Sequence, residues 1–325
     1  MMMRHTLYII LAATLLLATT ATHAIEPLAV RDGKVVEATT GKCQPLTGVS
    51  LAWHHFADQY YNADVVRTLV DDWHAKVVRA AVSVELGDGL LKNPKRAYKA
   101  LYSVIDECIA RDCYVVVDWH CHNIRLNEAK EFFTTVATKY GDKPNIIYEI
   151  FNEPEYQTWE EVKAYSEEVI ATIRAIDSDN IIIVGCPHWD QDVDIVADDP
   201  IDGFDNLVYS FHFYAATHQQ ENMTRCDYAL SRGLPLIISE CGGMNHLGQG
   251  VVDFEWWGRW TEWARENGVG WIAWSLSDKV ETCSMLRHGA TPHPADGGWG
   301  VHDLKEWSLL VMASLHQEYI LNNEN

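Results

Sequence analysis

Basic residues are scarce in this sequence: 25 Lys and Arg stand against 46 Asp and Glu, and the formal net charge is −21 at pH 7. Nucleic-acid binding needs clustered Lys and Arg to neutralise phosphates, so this balance argues against nucleic acid as a partner and suits an uncharged ligand. Phe is also scarce, with 8 residues against 13 Trp and 14 Tyr. Because Trp and Tyr combine an apolar ring with a polar edge, they can stack on a ligand as well as fill a core.

The chain lacks the features that separate domains. It contains no Pro/Gly/Ser-rich linker, no low-complexity segment and no internal repeat. Hydrophobic residues make up 48% and charged residues 22% of the chain, a composition typical of a globular protein with a full core. We therefore expect one domain over residues 25–325, without an appended binding module, and a monomer.

Long apolar runs are absent after the first 24 residues, so no transmembrane helix is predicted there. At the N-terminus, a positive start at Arg4 precedes an apolar run over residues 7–18 and the small residues around Ala24. The run is too short to span a bilayer, and this order is typical of a cleaved secretory signal rather than an anchor or a buried helix. Residues 1–24 are predicted to be a signal peptide, and the mature protein to be secreted and extracellular.

The spacings between the cysteines do not match those of a zinc site. The eight cysteines include no CxxC pair, and we predict neither a metal nor another cofactor. An even number of cysteines in an exported chain makes disulfides plausible, but spacing alone does not reveal which residues pair.

A regular alternation of short β-rich runs and longer helical patterns fills the rest of the chain. The predicted strands cover residues 48–51, 76–82, 113–119, 145–151, 180–185, 207–213, 235–240 and 270–275. Their near-continuous apolar runs indicate strands that are buried on both faces. Eight such strand–helix units favour a single α/β domain with a closed (β/α)8 TIM barrel. An open doubly wound sheet is the alternative, but no Gly-rich phosphate loop follows the first strand.

Polar residues at the carboxyl ends of these strands are the candidate site residues, because barrel enzymes have their active sites there. Glu153 and Glu240 end the fourth and seventh strands, which lie across the barrel from each other. An unpaired charge at the end of an apolar strand is costly, so both acids indicate a function. Glycoside hydrolysis requires one carboxylic acid and one carboxylate facing each other over a cleft. Asp118 and Glu149 lie inside strands and are predicted to be structural partners of Arg79 or of histidines.

The motifs around these acids resemble those of glycoside hydrolase family 5. The resemblance rests on Asn152-Glu153-Pro154, on Ser239-Glu240, on His212-Phe-Tyr-Ala-Ala-Thr-His218 and on Trp274-Ser-Leu-Ser-Asp-Lys279. It extends from Gly48 to Lys279, which is nearly all of the predicted mature chain. Within the family, the sequence is similar to the bacterial-type endo-β-1,4-glucanases, or cellulases.

This resemblance implies cleavage of internal β-1,4 bonds in cellulose or related β-glucans by a double displacement that retains anomeric configuration. Glu153 would be the acid/base and Glu240 the nucleophile. Asn152 would bond the sugar 2-hydroxyl, and Tyr214 would donate a hydrogen bond to Glu240. The other predicted substrate-binding or supporting residues are Trp53, Arg79, His120, Trp189, His212, Trp274, Lys279 and Glu281.

Two stretches depart from the family's usual pattern. Glu240-Cys241-Gly242 stands where Glu-Trp-Gly is usual, and the loop after the first strand, residues 53–58, also differs. We predict a disulfide at the rim of the barrel, with Cys241–Cys283 as the pair because their strands are neighbours; buried, inert thiols are the alternative. The sequence also contains a glycosylation sequon at Asn222, which matters only in a eukaryotic secretory pathway.

Four other functions fit part of the sequence. β-Mannanase and mixed-linkage glucanase are close alternatives on the same scaffold, and a carbohydrate-binding barrel without catalysis is a more distant one. A metal-dependent barrel hydrolase is the fourth possibility, although its His-x-His motif would follow the third strand instead of the first. Its ligands would be His120, His122, His188, His212 and Asp278.

Overall fold

The computed structural model describes residues 25–323, so the predicted signal peptide, residues 1–24, lies outside the described residues. A hairpin of β1 (Leu28–Arg31) and β2 (Lys34–Glu37) comes first. The barrel strands follow it: β3 (Thr47–Leu51), β4 (Val77–Ser83), β5 (Tyr114–His120), β6 (Ile146–Glu149), β7 (Ile182–Val184), β8 (Leu207–Tyr214), β9 (Leu236–Gly242) and β10 (Trp271–Leu276).

These strands form a closed parallel barrel in the order β10-β3-β4-β5-β6-β7-β8-β9. The predicted single-domain (β/α)8 barrel is therefore confirmed, and each predicted strand corresponds to an observed one. The hairpin was not predicted. Its Leu28 and Val35 belong to the cluster of buried residues inside the barrel, together with Val77, Val116 and Ile272, so the hairpin closes the end opposite the strand carboxyl ends.

Helices surround the barrel, and their ends follow local sequence signals. Thr158 and Glu161 form a reciprocal capping box at the start of one helix, and Gly268 ends another in the left-handed conformation that glycine adopts without strain. The helices are α1 (His54–Ala57), α2 (Ala63–Arg67), α3 (Pro94–Ala110), α4 (Leu126–Tyr140), α5 (Trp159–Arg174), α6 (Pro187–Asp190), α7 (Val193–Asp198), α8 (Gln220–Ser231), α9 (Phe254–Asn267) and α10 (Glu306–Asn323). Within residues 25–323, no helix combines the length and the apolar character needed to cross a bilayer.

Alternation along β9 decides which side chains reach the cleft. Ile237 belongs to the buried cluster inside the barrel, whereas Ile238 and Cys241 pack in the layer between the barrel and the helices. The register between β8 and β9 shifts after Ser210, and this irregularity pairs His212 with Glu240. The two polar side chains are thereby brought to the same end of the barrel.

The predicted Cys241–Cys283 disulfide is wrong in this structure, because all eight cysteines are free thiols. Cys241 faces the outer layer, where its Sγ lies 3.3 Å from the carbonyl oxygen of Ile272. Cys283 instead belongs to the loop after β10 and lines the cleft. Neighbouring strands were the reason for the prediction, but strand alternation turns one of the two thiols away from the other.

Candidate active site

Two adjoining cavities open at the carboxyl ends of the strands. One has a volume of about 460 Å³ and the other about 420 Å³. Both are lined by Glu153, Tyr214 and Glu240, so these residues lie where the cavities meet. The first cavity extends past Trp189 and His218, and the second extends past residues of the loops that follow β3 and β10. Together the cavities form one cleft with the two acids near its middle.

Glu153 follows β6 and is held by a histidine from β8. Its Oε1 lies 2.9 Å from Nδ1 of His212. Burial lowers the pKa of His212 to about 4, so this imidazole is neutral near pH 7. Burial also raises the pKa of Glu153 to about 7, and the negative charges of Glu155 and Glu149 act in the same direction. A carboxyl group with this pKa can both give and accept a proton near neutrality.

Glu240, at the end of β9, is held by two donors. The Tyr214 hydroxyl donates to its Oε1 at 2.7 Å, and Nη1 of Arg79 donates to its Oε2 at 3.2 Å. Burial raises the pKa of Glu240 and the charge of Glu153 adds to this, while His212, Arg79 and Tyr214 act in the opposite direction. Burial keeps the pKa of Tyr214 well above its ordinary value, so the phenol remains a donor. These bonds orient Glu240 and favour its ionised form.

Arg79 lies inside the barrel on β4 and is fully buried. Its Nε donates to Glu149 at 2.6 Å, and its Nη2 lies 3.0 Å from Asp118 and donates to the Asn152 side-chain oxygen at 2.5 Å. Although burial opposes its charge, the surrounding carboxylates raise the pKa of Arg79 above its ordinary value. One guanidinium therefore connects Asp118, Glu149 and Asn152 to Glu240.

The remaining predicted residues lie along the cleft. His120 ends β5, its Nδ1 lies 2.6 Å from Asp118, and its ring stacks on Trp274 of β10 with centroids 5.3 Å apart. Trp53 follows β3 and packs against His120. The structure thus brings these three aromatic side chains together beside the acids.

The cleft ends carry the other three predicted residues. Lys279 and Glu281 lie on the loop after β10 and form an ion pair at 3.2 Å. Trp189 belongs to α6 in the other cavity and is 39% exposed, the most open ring of those predicted. Each end of the cleft therefore has its own side chains available for a ligand.

Several other cleft residues were not predicted to bind the substrate or to support the acids. The Ser239 hydroxyl lies 3.0 Å from Nε2 of His212, Nδ1 of His122 lies 3.7 Å from Glu153, and Asp190 is buried behind His212. His246 and Leu247 line both cavities from the loop after β9. That loop carries no motif or periodicity, so its position depends on the fold alone.

The five ligands of the metal-hydrolase alternative do not all converge on one point. His188 is exposed and bonds Asp192, and Asp278 bonds the backbone N–H of Gly289. Among the described residues, the side chains that could hold a metal ion together are Glu153, His212 and Glu240, with one atom of each within 4.8 Å of the others. This group is the acid pair itself with the histidine that orients it.

A (β/α)8 barrel with two carboxyl groups facing each other over an open cleft has the architecture that glycoside hydrolases use. The comparisons agree with this class: the model of the cellulase family, glycosyl hydrolase family 5, matches residues 36–280. The chain belongs to this family.

Two similar curated proteins are endoglucanase Z of Dickeya dadantii and endoglucanase A of Evansella cellulosilytica. The chain is 39% identical to the first over 82% of its length and 38% identical to the second over 84%. It spans 64% and 56% of these relatives' own lengths.

Two solved structures are also similar. One from Cytophaga hutchinsonii is 38% identical, with a TM-score of 0.87 over 91% of this chain and 97% of that one. The catalytic domain of Thermobifida fusca endoglucanase Cel5A is 30% identical, with a TM-score of 0.84 over 90% of this chain and 98% of that one.

Proposed function

We propose that the protein is a secreted endo-β-1,4-glucanase that hydrolyses internal bonds of cellulose or a related β-glucan with retention of anomeric configuration. The observation that carries the proposal is the spacing of the acids: an oxygen of Glu153 and an oxygen of Glu240 lie within 4.8 Å of each other. Retaining glycosidases have carboxyl groups about 5 Å apart, whereas inverting ones leave room for a water molecule between them.

In the first step, Glu240 attacks the anomeric carbon while Glu153 gives its proton to the leaving glycosidic oxygen. The carbon–oxygen bond breaks and a covalent glycosyl-enzyme forms through a Glu240 oxygen. In the second step, Glu153 takes a proton from a water molecule that attacks the same carbon, and Glu240 leaves as a carboxylate. The neutral His212 beside Glu153 and the two donors on Glu240 fit these two roles.

We assign to Asn152 a hydrogen bond with the sugar 2-hydroxyl. Its side-chain oxygen accepts a hydrogen bond from Arg79, which directs the amide nitrogen away from the guanidinium. That buried nitrogen has no hydrogen-bond partner in the structure. The oxygen of a substrate hydroxyl would accept from this donor, and hydrogen bonds to the 2-hydroxyl are among those that strengthen in the transition state of glycoside hydrolysis.

Internal cleavage is supported by the shape of the cleft, which continues on both sides of the acids. Trp274 and Trp53 line the cleft on one side and Trp189 on the other, so side chains that can contact sugar units lie on both sides of the acids. Among the related structures, a variant of the Thermobifida fusca domain was solved in complex with cellotetraose. The substrate class proposed for this chain agrees with that complex.

Secretion is proposed from the N-terminal segment. Cleavage after Ala24 would leave Ile25 as the first residue of the mature protein. The N-terminal sequence of protein recovered from the culture medium tests this, and recovery of an intact Met1 in the cell fraction would contradict it.

The decisive assay compares initial rates on carboxymethylcellulose, barley β-glucan and mannan, and follows the anomeric protons of fresh products by NMR. We expect hydrolysis of the two glucans, a rapid fall in viscosity from internal cleavage, and β-anomers as first products. A preference for mannan would favour the mannanase alternative. Binding of β-glucan without release of reducing ends would favour a non-catalytic barrel.

The pH dependence of kcat/KM should have an alkaline limb near pH 7. Glu153 must be protonated to act as the acid, and burial raises its pKa to about 7, so activity is expected to fall as the pH rises through that value. Rates on cellotetraose between pH 4 and 9 measure the limb.

For Glu153→Gln we expect a loss of about 10²–10⁴-fold on cellotetraose. On 2,4-dinitrophenyl β-cellobioside, whose leaving group needs no proton, we expect a small change in kcat/KM; equal losses on both substrates would remove Glu153 from this role.

A further inference from the structure

Asp190 is a buried carboxyl group behind the acid pair, and the mechanism above gives it no task. It ends α6 and has no exposed surface. Its Oδ1 accepts a hydrogen bond from the backbone N–H of Cys186. Its Oδ2 is buried without a hydrogen-bond partner and lies 3.4 Å from Nδ1 of His212. A carboxyl oxygen without a donor in the protein interior is costly, so its position calls for a reason.

The same nitrogen also faces Glu153, at 2.9 Å. Two carboxyl oxygens, one from Glu153 and one from Asp190, therefore lie beside a single ring nitrogen of a neutral imidazole. The opposite nitrogen, Nε2, lies 3.0 Å from the Ser239 hydroxyl, which in turn lies 2.5 Å from Ser210. A hydroxyl group either donates or accepts, so the serines do not determine which nitrogen of His212 carries the hydrogen. That choice is made at Nδ1.

Glu153 by itself does not fix the choice, because its own protonation changes during the proposed reaction. When Glu153 is protonated and Nδ1 carries no hydrogen, the acid proton can sit on Oε1 and point at His212. When Nδ1 carries the hydrogen, Oε1 must accept, and the acid proton is confined to Oε2. Only the second arrangement leaves the proton free for a leaving oxygen in the cleft.

We propose that Asp190 is a positioning residue for the acid/base: its free oxygen holds His212 in the tautomer whose Nδ1–H is directed at Glu153. The ionised Asp190 oxygen attracts a hydrogen on Nδ1 and repels a lone pair there. The proposal rests on the proposed function, since it assigns a part in the acid step of that reaction.

Other charged groups face this trio from neighbouring strands. Burial raises the pKa of Asp190 well above its ordinary value and the charge of Glu153 adds to this, so the two carboxyl groups compete for one proton. The groups that act on them or on His212 are Arg79, His122, Glu149, Glu155 and Glu240. The productive state has the proton on Glu153 and the charge on Asp190.

Asp190→Asn reverses the polarity of this contact while keeping the shape of the side chain. The Cys186 N–H attracts the amide oxygen, so the amide NH₂ faces Nδ1 of His212 and favours a ring nitrogen without hydrogen. We expect kcat/KM on cellotetraose to fall about 10- to 100-fold, part of the full contribution of a general acid. On 2,4-dinitrophenyl β-cellobioside, which does not need the acid proton, kcat/KM is expected to stay within about threefold, again because only the acid step is affected.

Asp190→Ala separates this role from a structural one. Alanine removes the bond to Cys186 but places no donor against His212, so its loss on cellotetraose should be smaller than that of Asp190→Asn. A purely structural aspartate predicts the reverse order, and equal losses on both substrates. Either of those results would overturn the proposal. If the wild-type protein hydrolyses neither substrate, the proposed function fails. If the wild-type protein is active but its two Asp190 variants behave alike, only the proposed role of Asp190 fails.

Discussion

Glu240→Gln is expected to lower kcat on cellotetraose by on the order of 10⁵-fold, a loss comparable with removal of a nucleophile in other enzymes with a covalent intermediate. The amide keeps the shape of the carboxylate but is a poor nucleophile. Glu240→Gln should also lose activity on 2,4-dinitrophenyl β-cellobioside, because formation of the glycosyl-enzyme fails whatever the leaving group. This distinguishes it from Glu153→Gln, whose kcat/KM on that substrate should change little.

A small anion can replace the missing carboxylate. With Glu240→Ala and azide, we expect an α-glycosyl azide from the activated β-cellobioside, since a single displacement inverts the anomeric carbon. Glu318→Gln is the matched control, as Glu318 is a buried glutamate on α10 that pairs with Arg265 outside the cleft. Its activity should remain close to that of the wild type. Residual Glu240→Gln activity within about tenfold of the wild type would remove Glu240 from the mechanism, given the size of loss expected for a nucleophile.

Arg79→Met is expected to lower the free energy of unfolding by about 3–5 kcal/mol, the cost of leaving buried carboxylates without their partner. Arg79 is fully buried and lies within 3.2 Å of oxygens of Asp118, Glu149 and Glu240. Methionine fills a similar space but supplies neither charge nor donors. Urea unfolding at pH 7 measures the difference.

The deficit of Arg79→Met should shrink as the pH falls from 7 towards 5. Burial already raises the pKa of Asp118 well above its ordinary value, with Arg79 acting against it. Without the guanidinium that folded-state pKa rises further. A carboxyl group whose pKa is higher in the folded than in the unfolded state takes up protons on folding. It therefore destabilises the fold more as the pH rises, and this destabilisation disappears as the pH falls towards the unfolded-state pKa.

A half-exposed arginine serves as the control for that experiment. Arg96 pairs with Asp58 at 2.7 Å, and both side chains are 32% exposed. Solvent screens this pair, so Arg96→Met should cause a far smaller decrease in stability with little dependence on pH in the same range. If Arg79→Met were as mild as Arg96→Met, the buried network would not be under the electrostatic constraint described above.

Local sequence patterns predicted the barrel and pointed to the pair of acids proposed for catalysis. Eight apolar runs of strand length alternate with amphipathic helices, and this local pattern has few topological solutions because each parallel strand needs a crossover helix. Glu153 and Glu240 stand out because a charged residue that ends a buried strand is uncommon without a function. The resemblance to the family added Tyr214 and Arg79 as supporting residues, and in the structure both side chains bond Glu240.

The surroundings of the acids could not be predicted from local sequence patterns. The packing of α6 against β8 determines which nitrogen of His212 faces Glu153, and it places Asp190 behind that histidine. This packing depends on residues that are far apart in the chain. The cysteine pairing was wrong because neighbouring strands do not ensure neighbouring side chains: Cys241 faces the helices and Cys283 faces the cleft. The hairpin that closes the barrel floor was missed since short strands carry little local signal. Local sequence patterns thus specify elements and chemistry, while distances between functional groups are set by long-range packing.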